Sequence, residues 1–324
     1  MVDYDYFRTE VAARLVDRLD DIRREGGFPL ALDLGSGPGY LHRAICADDA
    51  LGGDGGGIGG VRKLVQLDSS ELMLHRDGGG GGEDGDFAGS GRCDTYRLLA
   101  DEEARPLPFP DGTFDLVISS AAMHWVNDLP GLLAEARRVL RPDGCLLLAM
   151  VGGSTLGELR SSLVLAETER DGGVSTHVGP FVDFADVGQL LTAAGFTLPT
   201  VDVDTVRLGF PNAAVLMEHL QRMGEGNACA SRRGAVPGTD RVGADTFLAA
   251  SCLYDSMYRL EVDDGLYDPD SVEASVQIIY AIGWTPDESQ QKPKERGTAT
   301  HRIGDEVDDV VVDRHGGEEG ERTG

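Results

Sequence analysis

Four acids stand at or near the ends of three short apolar runs, which is where a parallel sheet presents side chains to a ligand. Asp33 lies in Leu30-Ala31-Leu32-Asp33-Leu34, just ahead of Gly35-Ser36-Gly37-Pro38-Gly39. Asp68 closes Lys63-Leu64-Val65-Gln66-Leu67, and Asp101-Glu102 follow the run from Tyr96 to Ala100. Gly35, Gly37 and Gly39 let the chain turn sharply and bring its backbone close to a nucleotide-like ligand. A carboxylate at Asp33 suits a positively charged ligand better than a pyrophosphate. One at Asp68 can accept hydrogen bonds from both hydroxyls of a ribose. The G-x-G-x-G spacing also opens nicotinamide and flavin sites, so the glycines by themselves leave the ligand open.

A second reactant needs its own groups. The run Leu116 to Ser120 points at the reaction centre, with Ser119 at the cofactor edge, and Ala121-Ala122-Met123-His124-Trp125 follows it. His124 can act as a general base if its pKa is near neutral; the competing reading is a hydrogen-bonding histidine at a strand–helix corner. Glu167 and Glu169 sit in a helical stretch from Ser154 to Arg170, where carboxylates beside a cleft can clasp a guanidinium. A solvated charged face is the alternative. His177 lies after Gly172 and Gly173 on a stretch that reads as a hinged lid. Asn227 and Cys229 share another loop, and nothing near Cys229 in sequence would activate its thiol. His75-Arg76-Asp77 has the H-x-D spacing of an iron site, but it borders a glycine spacer and lacks a second histidine. No metal site is expected.

Elements that would hold these residues follow from periodicity. Phe7, Val11, Leu15, Leu19 and Ile22 recur at helical spacing, so residues 3–24 form an amphipathic helix, either over the ligand mouth or against a sheet flank. Strands are expected at 30–34, 63–67, 95–100, 113–119 and 144–151, with helices at about 39–46, 69–75 and 130–140 between them. That alternation calls for a mostly parallel, doubly wound sheet with helices on both faces. Beyond residue 151 the pattern changes. Helices at 154–170, 184–194, 212–223 and 245–260 surround strands at 200–208 and 275–283, giving seven strands, a helical insertion and an antiparallel last strand. Thr155-x-x-Glu158 reads as a capping box. Glycine runs at 52–60 and 78–91 read as surface insertions.

Composition narrows the partners. A net charge of −27 over 324 residues repels phosphate backbones, so nucleic acid is a poor substrate. The five cysteines, odd in number and without a C-x-x-C pair, read as reduced thiols with neither a disulfide framework nor a zinc site. No apolar run is long enough to span a bilayer. The acidic start, Met1-Val2-Asp3-Tyr4-Asp5, reads as neither a signal nor a transit peptide.

Several blocks together carry a resemblance. Asp68-Ser69-Ser70-Glu71-Leu72-Met73-Leu74 is similar to the D-x-S-x-x-M-L signature of class I methyltransferases. Leu107-Pro108-Phe109-Pro110-Asp111-Gly112-Thr113-Phe114-Asp115-Leu116-Val117 and Arg138-Val139-Leu140-Arg141-Pro142-Asp143-Gly144 resemble two further blocks of that class, in the same order. The resemblance implies a Rossmann-like α/β fold that binds S-adenosylmethionine through Asp33, Gly35, Gly37, Gly39, Asp68, Asp101, Glu102 and Ser119. It implies a cofactor core over 1–151, the remainder of the fold with a helical cap over the acceptor site at 152–285, and a tail at 286–324.

Later segments resemble one branch, the mitochondrial complex I assembly factors of the arginine-hydroxylase type. They are His124-Trp125-Val126-Asn127-Asp128-Leu129-Pro130, Gly152-Gly153-Ser154-Thr155-Leu156-Gly157-Glu158-Leu159-Arg160, Leu165-Ala166-Glu167-Thr168-Glu169-Arg170 and Met223-Gly224-Glu225-Gly226-Asn227. This resemblance implies an enzyme on the matrix side of the mitochondrial inner membrane, peripherally associated at most. It would hydroxylate an arginine of an iron–sulfur subunit of complex I, with His124, Glu167 and Glu169 as candidates for catalysis. The alternative is conventional methyl transfer to a carboxylate, as in the carrier-protein methyltransferases of biotin synthesis, which share the N-terminal blocks.

Overall fold

Branched and aliphatic residues fill the central strands, and burial on both sheet faces explains why they run without polar alternation. The computed structural model describes residues 4–46, 56–76, 92–229, 242–260 and 270–290. Its strands are β1 (Leu30–Leu34), β2 (Lys63–Asp68), β3 (Asp94–Leu99), β4 (Phe114–Ser120), β5 (Leu140–Val151), β6 (Thr197–Phe210) and β7 (Val272–Trp284). They form one sheet in the order β3-β2-β1-β4-β5-β7-β6. The first five strands are parallel, and β7 inserts antiparallel between β5 and β6. The order reverses between β1 and β4, which is where an open α/β sheet leaves a crevice for ligand at its carboxyl edge.

The helices are α1 (Tyr6–Asp20), α2 (Tyr40–Ile45), α3 (Glu71–His75), α4 (Leu129–Val139), α5 (Gly157–Arg170), α6 (Phe184–Ala193), α7 (Ala213–Met223) and α8 (Ala244–Met257). Phe7, Val11, Leu15 and Leu19 of α1 are buried with Leu41, Leu116 and Ile118 on one face of the sheet. Helices α4 and α6 cover the opposite face through Leu132, Leu133, Val187 and Leu191. Helix α4 starts where its sequence signals place it, with Pro130 in its first turn and the Asp128 carboxylate accepting from Gly131 N at 3.1 Å.

Helices α5, α7 and α8 gather around Leu159, Leu163, Ala166, Leu216, Ala250 and Tyr254 as a third apolar cluster, a cap at one end of the sheet. The cap is tied to β7 by polar bonds. Tyr254 Oη donates to Glu273 O at 2.7 Å, and Thr155 Oγ1 accepts from Gln277 N at 3.0 Å.

Four expectations change here. The Thr155–Glu158 capping box does not form: α5 begins after Leu156 in a left-handed conformation, and Glu158 bonds Ser275 of β7 instead. Both side chains serve tertiary bonds, which outcompete the local cap. Strand β5 starts at Leu140 and β6 extends to Phe210, because pairing with their neighbours continues past the apolar runs. Residues 56–60, expected as part of a surface spacer, pack onto the core: Phe28 N donates to Gly59 O at 2.9 Å, and Ile58 packs against the cluster under α1. Residues 47–55, 77–91 and 291–324, including Asp77 and most of the tail, lie outside the described residues. Finally, Cys46 at the end of α2 and Cys93 before β3 form a disulfide, with Cα atoms 5.9 Å apart, where the sequence predicts reduced thiols. Among the described residues no helix is long and apolar enough to cross a membrane.

The Tyr254 hydroxyl is the simplest test of how the cap is held. Tyr254→Phe is expected to lower unfolding free energy by about 1 kcal/mol, because it leaves the Glu273 carbonyl without its donor. Urea denaturation checks this; an unchanged midpoint would mean the cap does not depend on that bond.

Candidate functional site

The glycine turn after β1 is shaped by what it passes. Gly35 adopts φ +73°, and a Cβ there would stand 2.5 Å from the Ala122 Cβ. At Gly39, φ +90°, a Cβ would meet the Gln66 amide at 2.9 Å. A side chain at Gly35 would collide with Ala122, whereas at Gly39 the Gln66 amide could shift and it is the left-handed φ that disfavours a Cβ. Gly37 N donates to Asp68 Oδ2 at 2.7 Å, and Ser70 N donates to Asp68 Oδ1 at 2.8 Å, so Asp68 clamps the glycine turn to the start of α3. A carboxylate has about four lone-pair positions, which leaves Asp68 able to accept from a ligand as well.

Asp33 is the unusual group. It is buried, and neither oxygen has a hydrogen-bond partner among the described residues. Burial, then the nearby Asp68 charge, push its pKa up to about 8, with the Gln66 amide drawing it back a little. Glu102 shows the same strain more mildly: burial, and after it the Asp68 and Asp101 charges, hold its carboxyl above the ordinary range, and its Oε2 is buried without a partner among the described residues. Asp101 is exposed and accepts from Glu103 N at 2.8 Å. Ser119 plays a different part from the one expected. It is fully buried and donates its hydroxyl to Leu34 O at 2.8 Å, joining β1 to β4 instead of facing a ligand. The ledge is thus acidic, cradled by glycines and suited to a cation.

The chain's own start lies beside this ledge. Tyr40, the first residue of α2, donates its hydroxyl to Asp5 Oδ1 at 2.7 Å, and Arg76 after α3 pairs with the same carboxylate. Helix α1 buries a sheet flank with its apolar stripe, and Asp5 just ahead of it is tied to the first residue of α2.

On the other side of β4, Ala121 takes a left-handed conformation, φ 50°, which swings the short 3-10 turn Met123–Trp125 back across the sheet edge. This sets His124 against Glu225, with Nε2 3.2 Å from Glu225 Oε2. Arg8 of α1 donates to Glu225 Oε1 at 2.8 Å. Burial works against the Glu225 charge, but the His124 and Arg8 contacts outweigh it and hold the carboxyl below its ordinary pKa. His124 Nδ1 is buried without a partner among the described residues. Glu225 also lines a cavity of about 510 Å³ under the cap, together with His177, Phe181, Leu220 and Asn227.

The two acids expected on α5 part company. Glu169 is exposed. Glu167 is fully buried and turned to the following loop: it accepts from Ser175 N at 2.8 Å and Ser175 Oγ at 2.6 Å, and lies 3.1 Å from His177 Nε2. Burial opposes its charge, but those contacts prevail and keep its pKa low. Glu167 thus fixes the 172–179 loop, and His177 reaches the cavity from it. Asn227 donates to Thr176 O from the opposite wall, and Cys229 N donates to Asn227 Oδ1 at 2.9 Å. Glu225 and Arg8 carry no sequence signal of chemistry. Glu225 is marked only by its flanking glycines, Gly224 and Gly226, and by lying in one of the segments that carry the family resemblance. Among the described residues no group of three His, Cys, Asp or Glu side chains is arranged to hold a metal ion.

Residues 32–148 match the family described as Methyltransferase domain. Over 302 residues the sequence is 44% identical to the human protein named Arginine-hydroxylase NDUFAF5, mitochondrial, covering 93% of this chain and 76% of that one. It is 32% identical over 287 residues to the Malonyl-[acyl-carrier protein] O-methyltransferase of Laribacter hongkongensis, covering 86% and 82% of the two chains. The solved structure of BH2331 from Bacillus halodurans superposes with a TM-score of 0.50 at 18% identity, over 85% of this chain and 99% of that one. That likeness shows the fold.

The Asp33 carboxyl makes a pH-dependent prediction. Its folded pKa, about 8, lies above its ordinary value of 3.8. The stability tied to this group is therefore complete below about pH 4 and is lost as pH rises through about 8. Asp33→Asn never ionises, so without added cofactor it is expected to melt increasingly higher than wild type across that interval, with a constant gap above it. Calorimetry over pH 4–9 checks this, and a gap that stays flat or shrinks with rising pH would remove the buried charge from the account.

Proposed function

The chain belongs to the family of NDUFAF5 arginine-hydroxylases, enzymes built on a methyltransferase fold, and on that footing we propose that it binds S-adenosylmethionine and hydroxylates an arginine of an iron–sulfur subunit of respiratory complex I in the mitochondrion. The observation that carries the cofactor assignment is Asp33: a buried carboxylate with no partner among the described residues, next to a turn where glycine alone fits. A ligand bearing an ammonium and a sulfonium supplies the positive charge that such a group lacks. Bound S-adenosylmethionine brings that charge together with an electrophilic methyl group.

The chain's own residues divide the work. Asp33 faces the cationic end of the cofactor, Asp68 accepts from the ribose hydroxyls, and Asp101 and Glu102 border the adenine. The glycine turn lets the backbone close on the ligand. Across β4, Glu225 presents a charged oxygen to an arginine side chain, and His124 Nδ1 is the ring atom left to give or take a proton. In the methyl-transfer reading, holding both partners against this edge would lower the barrier by orientation and proximity. The net charge of −27 disfavours a nucleic-acid substrate. Methyl transfer is the second reading, favoured by the likeness to the malonyl-carrier-protein enzyme over 86% of the chain.

Asp68→Ala is expected to weaken S-adenosylmethionine binding by about 1.5–3 kcal/mol, through loss of a charge-assisted pair. Calorimetric titration measures it, and an unchanged dissociation constant would take Asp68 out of the site. The reaction itself is read by intact mass of an arginine-containing peptide from the iron–sulfur subunit. With dioxygen and a two-electron reductant supplied as co-substrates, a gain of one oxygen is expected, the second oxygen atom leaving as water. A gain of one methyl selects the second reading, and an unaltered mass would leave only a binding role.

A further inference from the structure

Glu225 is placed with more care than an ordinary surface acid. Helix α7 stops at Gly224, which adopts φ +81°, and Glu225 N closes the helix end by donating to Leu220 O at 2.8 Å. That six-residue closure directs the next side chain back under the cap. The carboxylate then borders both the 510 Å³ cavity and an adjoining apolar pocket lined by Phe7, Val151 and Met223. His124 holds one oxygen, Oε2, and Arg8 holds the other, Oε1.

Arg8 is an imperfect occupant. It reaches Glu225 through a single Nη2 contact, whereas a guanidinium facing a carboxylate can make two parallel bonds. Its Nε is buried with no partner among the described residues. The side chain springs from the first turn of α1, so it can swing away while Phe7, Val11 and Leu15 of that helix stay packed. Flat rings stand close by: Phe181 lines both the cavity and the apolar pocket together with Glu225 and lies 5.9 Å, centroid to centroid, from the His124 ring, against whose other neighbour, Trp125, the distance is 5.5 Å. A carboxylate beside aromatic faces is the chemistry that recognises a guanidinium.

We propose that Glu225 is the carboxylate that receives the acceptor's guanidinium, and that Arg8 holds that seat until an arginine side chain displaces it. This rests on the reading of the acceptor as an arginine. Arg8 is then an internal competitor. Apparent affinity for the acceptor falls by the fraction of molecules in which the seat is open, so a ninety-per-cent occupied seat lowers it about tenfold. The competitor also keeps the Glu225 charge compensated, which holds His124 in one orientation before the acceptor arrives.

The test uses the full chain with S-adenosylmethionine and a short peptide bearing one central arginine, beside its citrulline counterpart. Dissociation constants are measured for wild type, Arg8→Ala and Glu225→Gln, and guanidinium nitrogen NMR follows Arg8 in wild type, a readout that needs no substitution. Arg8→Ala is expected to bind the arginine peptide about tenfold more tightly. Glu225→Gln is expected to lose the preference for arginine over citrulline, and the Arg8 signal is expected to shift as peptide saturates. If the arginine peptide is bound and modified while Arg8→Ala leaves its affinity unchanged and the Arg8 signal stays in place, the displacement is overturned and the proposed function stands. If wild type binds both peptides alike, or modifies a side chain other than arginine, the arginine reading and the displacement fall together.

Discussion

A carboxyl group buried near the end of β1, without a hydrogen-bond partner among the described residues, is the constraint on which the reading of the site depends. Isolated charges are expensive to bury, so a fold keeps one only where something repays it. Here the surroundings hold Asp33 in place without relieving it. Parallel pairing to β2 and β4 fixes its backbone, Ser119 ties β4 to the neighbouring Leu34 carbonyl, and Gln66 stands near enough to help only a little. Asp68 adds further negative charge while it clamps the glycine turn. Stability is given up at this edge as the carboxyl ionises, and the proposed cationic ligand would offset that loss.

The acceptor side follows the opposite electrostatic logic. Glu167 is buried and Glu225 half-buried, yet each is met by cations or donors that hold its pKa down. Glu225 is held by His124 and Arg8, and Glu167 by Ser175 and His177. One carboxylate belongs to the cavity wall and the other to the loop that carries His177 into it. The helical cap can therefore be shaped and charged independently of the cofactor ledge.

Much of the ledge was legible in the sequence because it is local. Apolar runs of strand length, glycines at fixed offsets and an acid at each run's end place β1, β2, the turn, Asp33 and Asp68 within a few residues of their observed positions. The antiparallel last strand was legible from the change of pattern after residue 151. What escaped depends on contacts between distant parts of the chain. Glu225 meets His124 across 101 residues and Arg8 across 217, and no periodicity announces either pair. Cys46 and Cys93 look unrelated until the end of α2 meets the start of β3. Thr155 and Glu158 have the right spacing for a cap, but β7 competes for both side chains. Ser119 looks like a ligand contact because of its strand position, and only its depth shows that it joins two strands. The proposed acceptor rests on family likeness, since residue types alone could not separate one acceptor from another.

The central claim is that Asp33 awaits a cation, and proton linkage tests it most directly. Titration calorimetry of S-adenosylmethionine binding, run near pH 7 in two buffers of different ionisation enthalpy, counts the protons exchanged. With its pKa pushed up to about 8, the Asp33 carboxyl is mostly protonated at that pH, and a cation seated beside it drives the proton off. The account predicts release of close to one proton per cofactor bound near pH 7, fading toward none above about pH 9. Tight binding with no proton released would contradict it.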